Sequence, residues 1–227
     1  AAELNLPEFG ELYLWFRKRL WLFDLSEPPR PLTWGTAGAA MEDESFRNNV
    51  LRMVRDADLG IGDLHVSNEP MTFPEEMPRR IRAAIQAILD ESEDLPERYR
   101  VHTTHFDTTG KPVEFSLDED ESNGTQRFFA IAGPVLDALA TGATLVVDEL
   151  ECSMHPLLTR KLVQMFLDPN LNERGAQLIF STHDTSLLDR ELLRRDQVTG
   201  VLIGAPGLVQ VAGAVGGAGL GGDGGGV

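Results

Sequence analysis

Thr144-Leu145-Val146-Val147-Asp148-Glu149 decides the fold of this chain. Four residues of continuous strand character end in two adjacent carboxylates, the pattern of a strand buried on both faces that surfaces at its tip. Downstream, Pro156 to Leu167 reads as a helix opened by a proline, whose missing amide costs nothing in the first turn. Gln177 to Thr182 is a second apolar strand. Strand, helix and strand in this order imply a right-handed crossover and a parallel sheet, hence an α/β fold. Ligands of such sheets bind at the carboxyl ends of the strands. Asp148 and Glu149 lie there, as does Ser181-Thr182-His183-Asp184 at the end of the next strand. The first acid suits Mg²⁺, usually held through water, because hard cations take oxygen ligands. The second points elsewhere and can orient or deprotonate an attacking water. His183 has two readings: a group that reaches a γ-phosphate or that water, and, taken by itself, a hydrogen-bonded loop residue.

Upstream, a helix fits Gln126 to Ala140, and Glu121-Ser122-Asn123-Gly124-Thr125 stands directly before it. Ser122 offers a hydroxyl, and Gly124 lets backbone amides approach an anion at a helix N-terminus. The same residues read equally as a helix cap. Tyr99 to Phe106 and Pro112 to Leu117 alternate in polarity around Asp107-Thr108-Thr109-Gly110-Lys111, which predicts a β-hairpin. Asp118 to Glu121 follows as a solvated acidic run. Before the hairpin the pattern is helical: Phe9 to Leu25, Asp43 to Asp58 and Glu75 to Glu91 carry apolar residues at helical spacing. Ser26 to Pro31 ends the first of these, and the Gly-rich Thr33 to Ala40 reads as a loop. Val198 to Ile203 and Leu208 to Val211 suit a closing hairpin. From Ala212 the Gly-rich sequence is too poor in side chains to pack and is expected to be disordered. The chain thus divides into a mainly helical arm (1–98), an α/β lobe (99–211) and a tail (212–227).

Composition narrows the function. Of 227 residues, 36 are acidic and 20 basic, a net charge of −16. Both nucleic acid and membrane surfaces would repel such a chain over most of its area. The single cysteine, Cys152, forbids an internal disulfide and suits a reducing cytoplasm. No apolar run approaches the ~20 residues that span a bilayer. His102 and His105 fall on opposite faces of an alternating strand and do not form a metal pair. The aromatic set Trp15, Phe16, Trp21 and Phe23 reads as helix packing, and Cys152 has no base beside it for nucleophilic work.

Taken in order, the Ser122 loop, the acidic strand and His183 resemble the ABC-type ATPases, including the SMC, repair and overcoming-lysogeny-defect branches and the bacterial AAA-family group. Glu121-Ser122-Asn123-Gly124-Thr125 is similar to the signature loop and Leu145-Val146-Val147-Asp148-Glu149 to Walker B. His183 matches the switch histidine, and Glu151-Cys152-Ser153-Met154-His155-Pro156 looks like the D-loop and helix start. The resemblance spans about Val101 to Val198 and implies the C-terminal half of a P-loop NTPase with a parallel sheet core, preceded by a helical insertion and a β-hairpin. It implies ATP and Mg²⁺ as cofactors, with Asp148 helping to hold the metal, Glu149 as general base and His183 on the γ-phosphate. Ser122, Gly124 and Thr125 would contact the γ-phosphate of ATP held by a second, identical head. An effector protein or nucleic acid would be reached through the full-length protein, in phage defence or DNA maintenance, with no membrane partner.

The Walker A form G-x-x-x-x-G-K-[ST] does not occur in the chain. Thr109-Gly110-Lys111 is followed by Pro112 and sits in a hairpin turn. The start at Ala1-Ala2-Glu3, without Met, is expected to fall inside the helical insertion, downstream of that loop. Two function classes therefore stand: an ATPase head, or a non-hydrolysing fragment or regulatory module that lends its Ser122 loop to a complete partner.

Overall fold

The computed structural model describes residues 7–25, 30–70, 78–80, 97–202 and 209–216. Helix α1 (Pro7–Arg19) runs into strand β1 (Leu20–Asp24), and α2 (Arg30–Glu42) and α3 (Glu44–Asp56) follow. Strands β2 (Asp63–Pro70), β3 (Glu97–Phe106) and β4 (Pro112–Ser116) form an antiparallel three-stranded sheet in the order β2-β3-β4. Helix α4 (Asn123–Thr141) leads to β5 (Thr144–Asp148), α5 (Pro156–Leu167) and β6 (Gln177–Thr182). Strands β7 (Val198–Leu202) and β8 (Val209–Gly216) complete a five-stranded sheet in the order β1-β5-β6-β8-β7.

β5 pairs in parallel with β1 on one side and with β6 on the other. The fold is therefore α/β with a parallel core, as the strand–helix–strand order implied. Leu145, Val147, Leu178 and Phe180 are almost fully buried, together with Phe128, Phe129 and Ile131 of α4 and Leu162 and Phe166 of α5. No described helix is long and apolar enough to cross a membrane.

Three local expectations are corrected, and one strand, β2, is added. The helix expected through Leu25 ends at Arg19, and Leu20–Asp24 is a strand. Pairing with β5 supplies its backbone hydrogen bonds, and its burial alternates, with Leu22 71 % exposed while Trp21 and Phe23 lie against the core. Thr33 to Ala40, expected to be a loop, lies within α2. Its small residues form a packing surface rather than a flexible linker. Thr36, Ala37, Gly38 and Ala40 are buried, and the Tyr99 ring lies 3.2 Å from where a Cβ on Gly38 would stand. β2, which carries no strong strand pattern, is recruited by β3 into a third antiparallel strand. Ala212 to Gly216, expected to be disordered, belong to β8 and pair with β6, Ala212 and Gly213 pairing with β7 as well. The expected helix Glu75–Glu91 falls almost wholly outside the described residues, as does the tail beyond Gly216.

Two side-chain expectations also change: Trp15 and Phe16 of α1, expected to pack, are 45 % and 50 % exposed, and Glu121 of the expected solvated run has a largely buried side chain. β1, within the expected arm, pairs with β5 of the expected lobe. Several other elements lie where the pattern placed them. α3 is capped by Asp43, whose carboxylate accepts from Ser45 N (2.7 Å) and Phe46 N (3.2 Å), and it buries Val50, Leu51, Met53 and Val54. α4 begins three residues earlier than its apolar pattern suggested and ends at Gly142. There φ is +69°, and a Cβ would stand 2.5 Å from the Arg174 carbonyl oxygen, so only glycine fits this turn.

Candidate functional site

The parallel register of β5 and β6 sets Val147 beside Phe180, so the next residues, Asp148 and Ser181, come together at the strand tips. The Ser181 hydroxyl donates to the Asp148 carboxylate and accepts the Glu149 amide at 2.9 Å. That amide also lies 3.2 Å from Asp148 Oδ1, and the Leu150 amide donates to the Ser181 carbonyl at 3.0 Å. These bonds hold Glu149 at φ +49°, a left-handed conformation that costs a non-glycine residue about 1–3 kcal/mol. The backbone leaves the strand direction at this residue. The Glu149 carboxylate makes no hydrogen bond to any described residue, and the Asp148 side chain is exposed.

His183 joins the group through its backbone. Its amide donates to Glu151 Oε1 at 2.6 Å, which ties the loop after β6 to the loop after β5 and leaves the imidazole exposed. Asp184 caps the short turn Thr185–Leu188 by accepting from Ser186 N at 2.9 Å. Glu151 Oε2 and Asp184 Oδ2 are buried without a hydrogen-bond partner.

The second group lies at the N-terminus of α4. Ser122 caps that helix, its Oγ accepting from Thr125 N at 3.1 Å and lying 2.9 Å from Thr125 Oγ1. The cap reading of the Ser122 loop is thus realised. A Cβ on Gly124 would stand 3.0 Å from the Ser153 carbonyl oxygen, so the loop after β5 packs directly on this turn. Ser122 and Gly124 line a cavity of about 670 Å³ whose other walls include Asp58, Leu59, Met154 and His155. Thr125 is buried beneath it. Asp148, Glu149 and His183 do not line that cavity. The predicted residues therefore form two sites joined by the loop 149–155.

A family model described as "AAA domain, putative AbiEii toxin, Type IV TA system" matches residues 4–189, a span that contains both sites. The chain belongs to this AAA-domain family. Membership accounts for the P-loop NTPase-like α/β core and makes nucleotide-binding ATPase chemistry the setting of the site. No significant match occurs among curated proteins or among solved structures.

Two residues of this AAA domain gain roles that the sequence did not announce. Ser181 was visible only as the first letter of the motif ending in His183, and Glu151 only as part of a loop. Parallel pairing of β5 with β6 makes the first a bridge between the acids and the second a clamp on His183. The donor set also fits Mg²⁺. An exposed carboxylate and a hydroxyl offer hard oxygen ligands, and no described group of three or more His, Cys, Asp or Glu forms a metal cage. Mg²⁺ in nucleotide sites takes one or two protein ligands and completes its shell with phosphate and water.

Thr109-Gly110-Lys111 sits in the hairpin turn, where Asp107 accepts from Thr109 N, Thr109 Oγ1 and Lys111 N at 2.6–2.9 Å. The Thr109 hydroxyl, then the Lys111 and Thr109 amides, hold the Asp107 carboxyl below the usual aspartate range. His102 pairs with Glu114 at 3.1 Å and His105 with Glu121 at 2.7 Å, on opposite faces of β3.

Proposed function

We propose that this chain is the catalytic lobe of an ABC-type ATPase head that hydrolyses ATP as a dimer. The observation that carries the reading is the Asp148–Ser181–Glu149 network at the carboxyl ends of two parallel strands. Asp148 helps to hold Mg²⁺, which would neutralise charge on the phosphates. Glu149, whose carboxylate no described residue engages, orients and deprotonates the attacking water. His183, with its backbone fixed by Glu151 and its ring exposed, contacts the γ-phosphate.

Ser122, Gly124 and Thr125 contact the γ-phosphate of ATP carried by the opposite protomer, a homodimeric second head. The lining of the Ser122 cavity, which does not include Asp148, Glu149 or His183, supports this division of labour. Within this reading the Walker A cradle comes from outside these 227 residues, since no G-x-x-x-x-G-K-[ST] run occurs in them. ATP-driven engagement of two heads would move the helical arm, with phage defence or DNA maintenance as the output.

Glu149→Gln in the full-length protein tests the assignment. Hydrolysis is expected to fall by about 10²–10⁴-fold, the usual contribution of a positioned general base, while ATP binding is retained. Unchanged hydrolysis would sink it. The missing cradle also supports a second reading, a regulatory module that hydrolyses nothing itself. ATP turnover by the full-length protein separates the two, since hydrolysis abolished by Glu149→Gln contradicts the module.

A further inference from the structure

Directly before Ser122 stands a carboxylate that the catalytic reading leaves unused. The Glu121 side chain is only 9 % exposed, and its Oε1 accepts two hydrogen bonds, from Thr103 Oγ1 at 2.6 Å and from His105 Nε2 at 2.7 Å. Both donors stand on β3, and Thr103 is fully buried. The Glu121 backbone is held as well. Its amide donates to the Ser116 carbonyl at 3.3 Å, and its carbonyl accepts from Gln126 Nε2 at 3.0 Å.

His105 is packed on two further sides. Its ring meets Phe115 edge-on, with centroids 4.8 Å apart. Nδ1 lies 3.5 Å from where a Cβ on Gly60 would stand, and Gly60 has φ +72°. Gly60 follows Asp58 and Leu59, which line the same cavity as Ser122 and Gly124. One imidazole therefore occupies the space beside Gly60, next to one wall of the cavity, and, through Glu121, fixes the start of the other.

We propose that His105, aided by Thr103 and acting through Glu121, is a positioning residue that sets the placement of the Ser122 loop against the Asp58–Gly60 wall. A buried carboxylate that lost one donor would have to find water or another partner. Either route displaces Glu121 and the cap residue bonded next to it in the chain. The small antiparallel sheet is thus a frame for the anion-facing turn. The functional consequence rests on the reading of Ser122 as a phosphate contact; the placement itself does not.

The test uses the full-length protein with three substitutions: His105→Ala, His105→Gln and His102→Ala. Glutamine can present an Nε2–H donor near the same position, and His102 serves as control because it occupies the opposite face of β3, paired with Glu114. Amide hydrogen exchange across Glu121–Gln126 is expected to rise about tenfold in His105→Ala, the loss of one charge-assisted hydrogen bond. It should return towards wild type in His105→Gln and stay unchanged in His102→Ala. ATP turnover should follow the same order. Unchanged exchange in His105→Ala overturns the proposal, and so does an equal rise in His102→Ala, which would mean general loosening of the sheet. Raised exchange with intact turnover upholds the clamp and removes Ser122 from the phosphate contacts, which sinks the reading of the site instead.

Discussion

Thr36→Val should destabilise the protein through a carbonyl on another helix, and the effect should depend on whether residue 134 is proline. Pro134 lies inside α4 and has no amide hydrogen, so the Ala130 carbonyl one turn earlier loses its helical donor. Ala130 is fully buried and cannot turn to water. The Thr36 hydroxyl of α2 supplies the bond at 3.0 Å, and Thr36 is itself 2 % exposed. Gly133 makes the approach feasible, since a methyl group there would overlap the Thr36 hydroxyl. Valine keeps the shape of threonine and removes the donor. A buried acceptor left bare costs about 1–3 kcal/mol, and at about 2 kcal/mol the midpoint of thermal unfolding falls by roughly 4–8 °C for a domain of this size. In a Pro134→Ala background the new amide at 134 donates to the Ala130 carbonyl, and the cost of Thr36→Val should shrink to under about 1 kcal/mol. Urea unfolding of the four proteins in this double-mutant cycle measures the coupling directly. An equal cost in both backgrounds would show that Thr36 acts by packing alone.

Ser181→Ala removes the hydroxyl that links the Asp148 carboxylate to the Glu149 amide. Loss of a hydrogen bond to a charged group, about 1.5–3 kcal/mol, predicts hydrolysis slowed by about 10–100-fold with ATP binding intact. Single-turnover measurements on the full-length protein decide it, and a rate within about twofold of wild type would refute the bridging role. Asp107 gives a pH signature. Its folded pKa lies below its unfolded value, so its contribution to stability is complete above the unfolded pKa of about 3.9 and is lost as pH falls through the folded pKa. NMR titration should place its midpoint below the ordinary aspartate range, and Thr109→Val should raise it. A midpoint indifferent to that substitution would contradict the assigned cause.

The parallel core was legible because β5, α5 and β6 each carry a local signal that agrees with their tertiary setting. The run Leu145–Val147 is apolar on both faces because a parallel sheet is covered on its faces, with Leu145 and Val147 almost fully buried and Val146 partly so. Leu20–Asp24 was not legible. Its aromatic residues continue the amphipathic pattern of α1, and only the edge offered by β5 turns them into a strand. Thr33 to Ala40 misled for a related reason: Gly35 and Gly38 signal a break locally, yet the helix runs through both, and the small size of Gly38 serves close packing of α2 on the Tyr99 ring. Of the candidate site, Asp148, Glu149, His183 and Ser122 are singled out by residue type and order alone. Ser181, Glu151 and Glu121 are not, because their roles arise where separate strands and loops meet.

Helix α4 has 19 residues and so spans about 28 Å. It starts at the Ser122 turn and passes through the glycine turn at Gly142 straight into the strand that ends at Asp148. One rung of its hydrogen-bond ladder is borne by Thr36, so the helix cannot slide or roll over α2 without breaking that rung. It is a strut under lateral bracing. The Ser122 turn and the Asp148 tip are therefore the two ends of one uninterrupted stretch of chain, braced at its middle from α2.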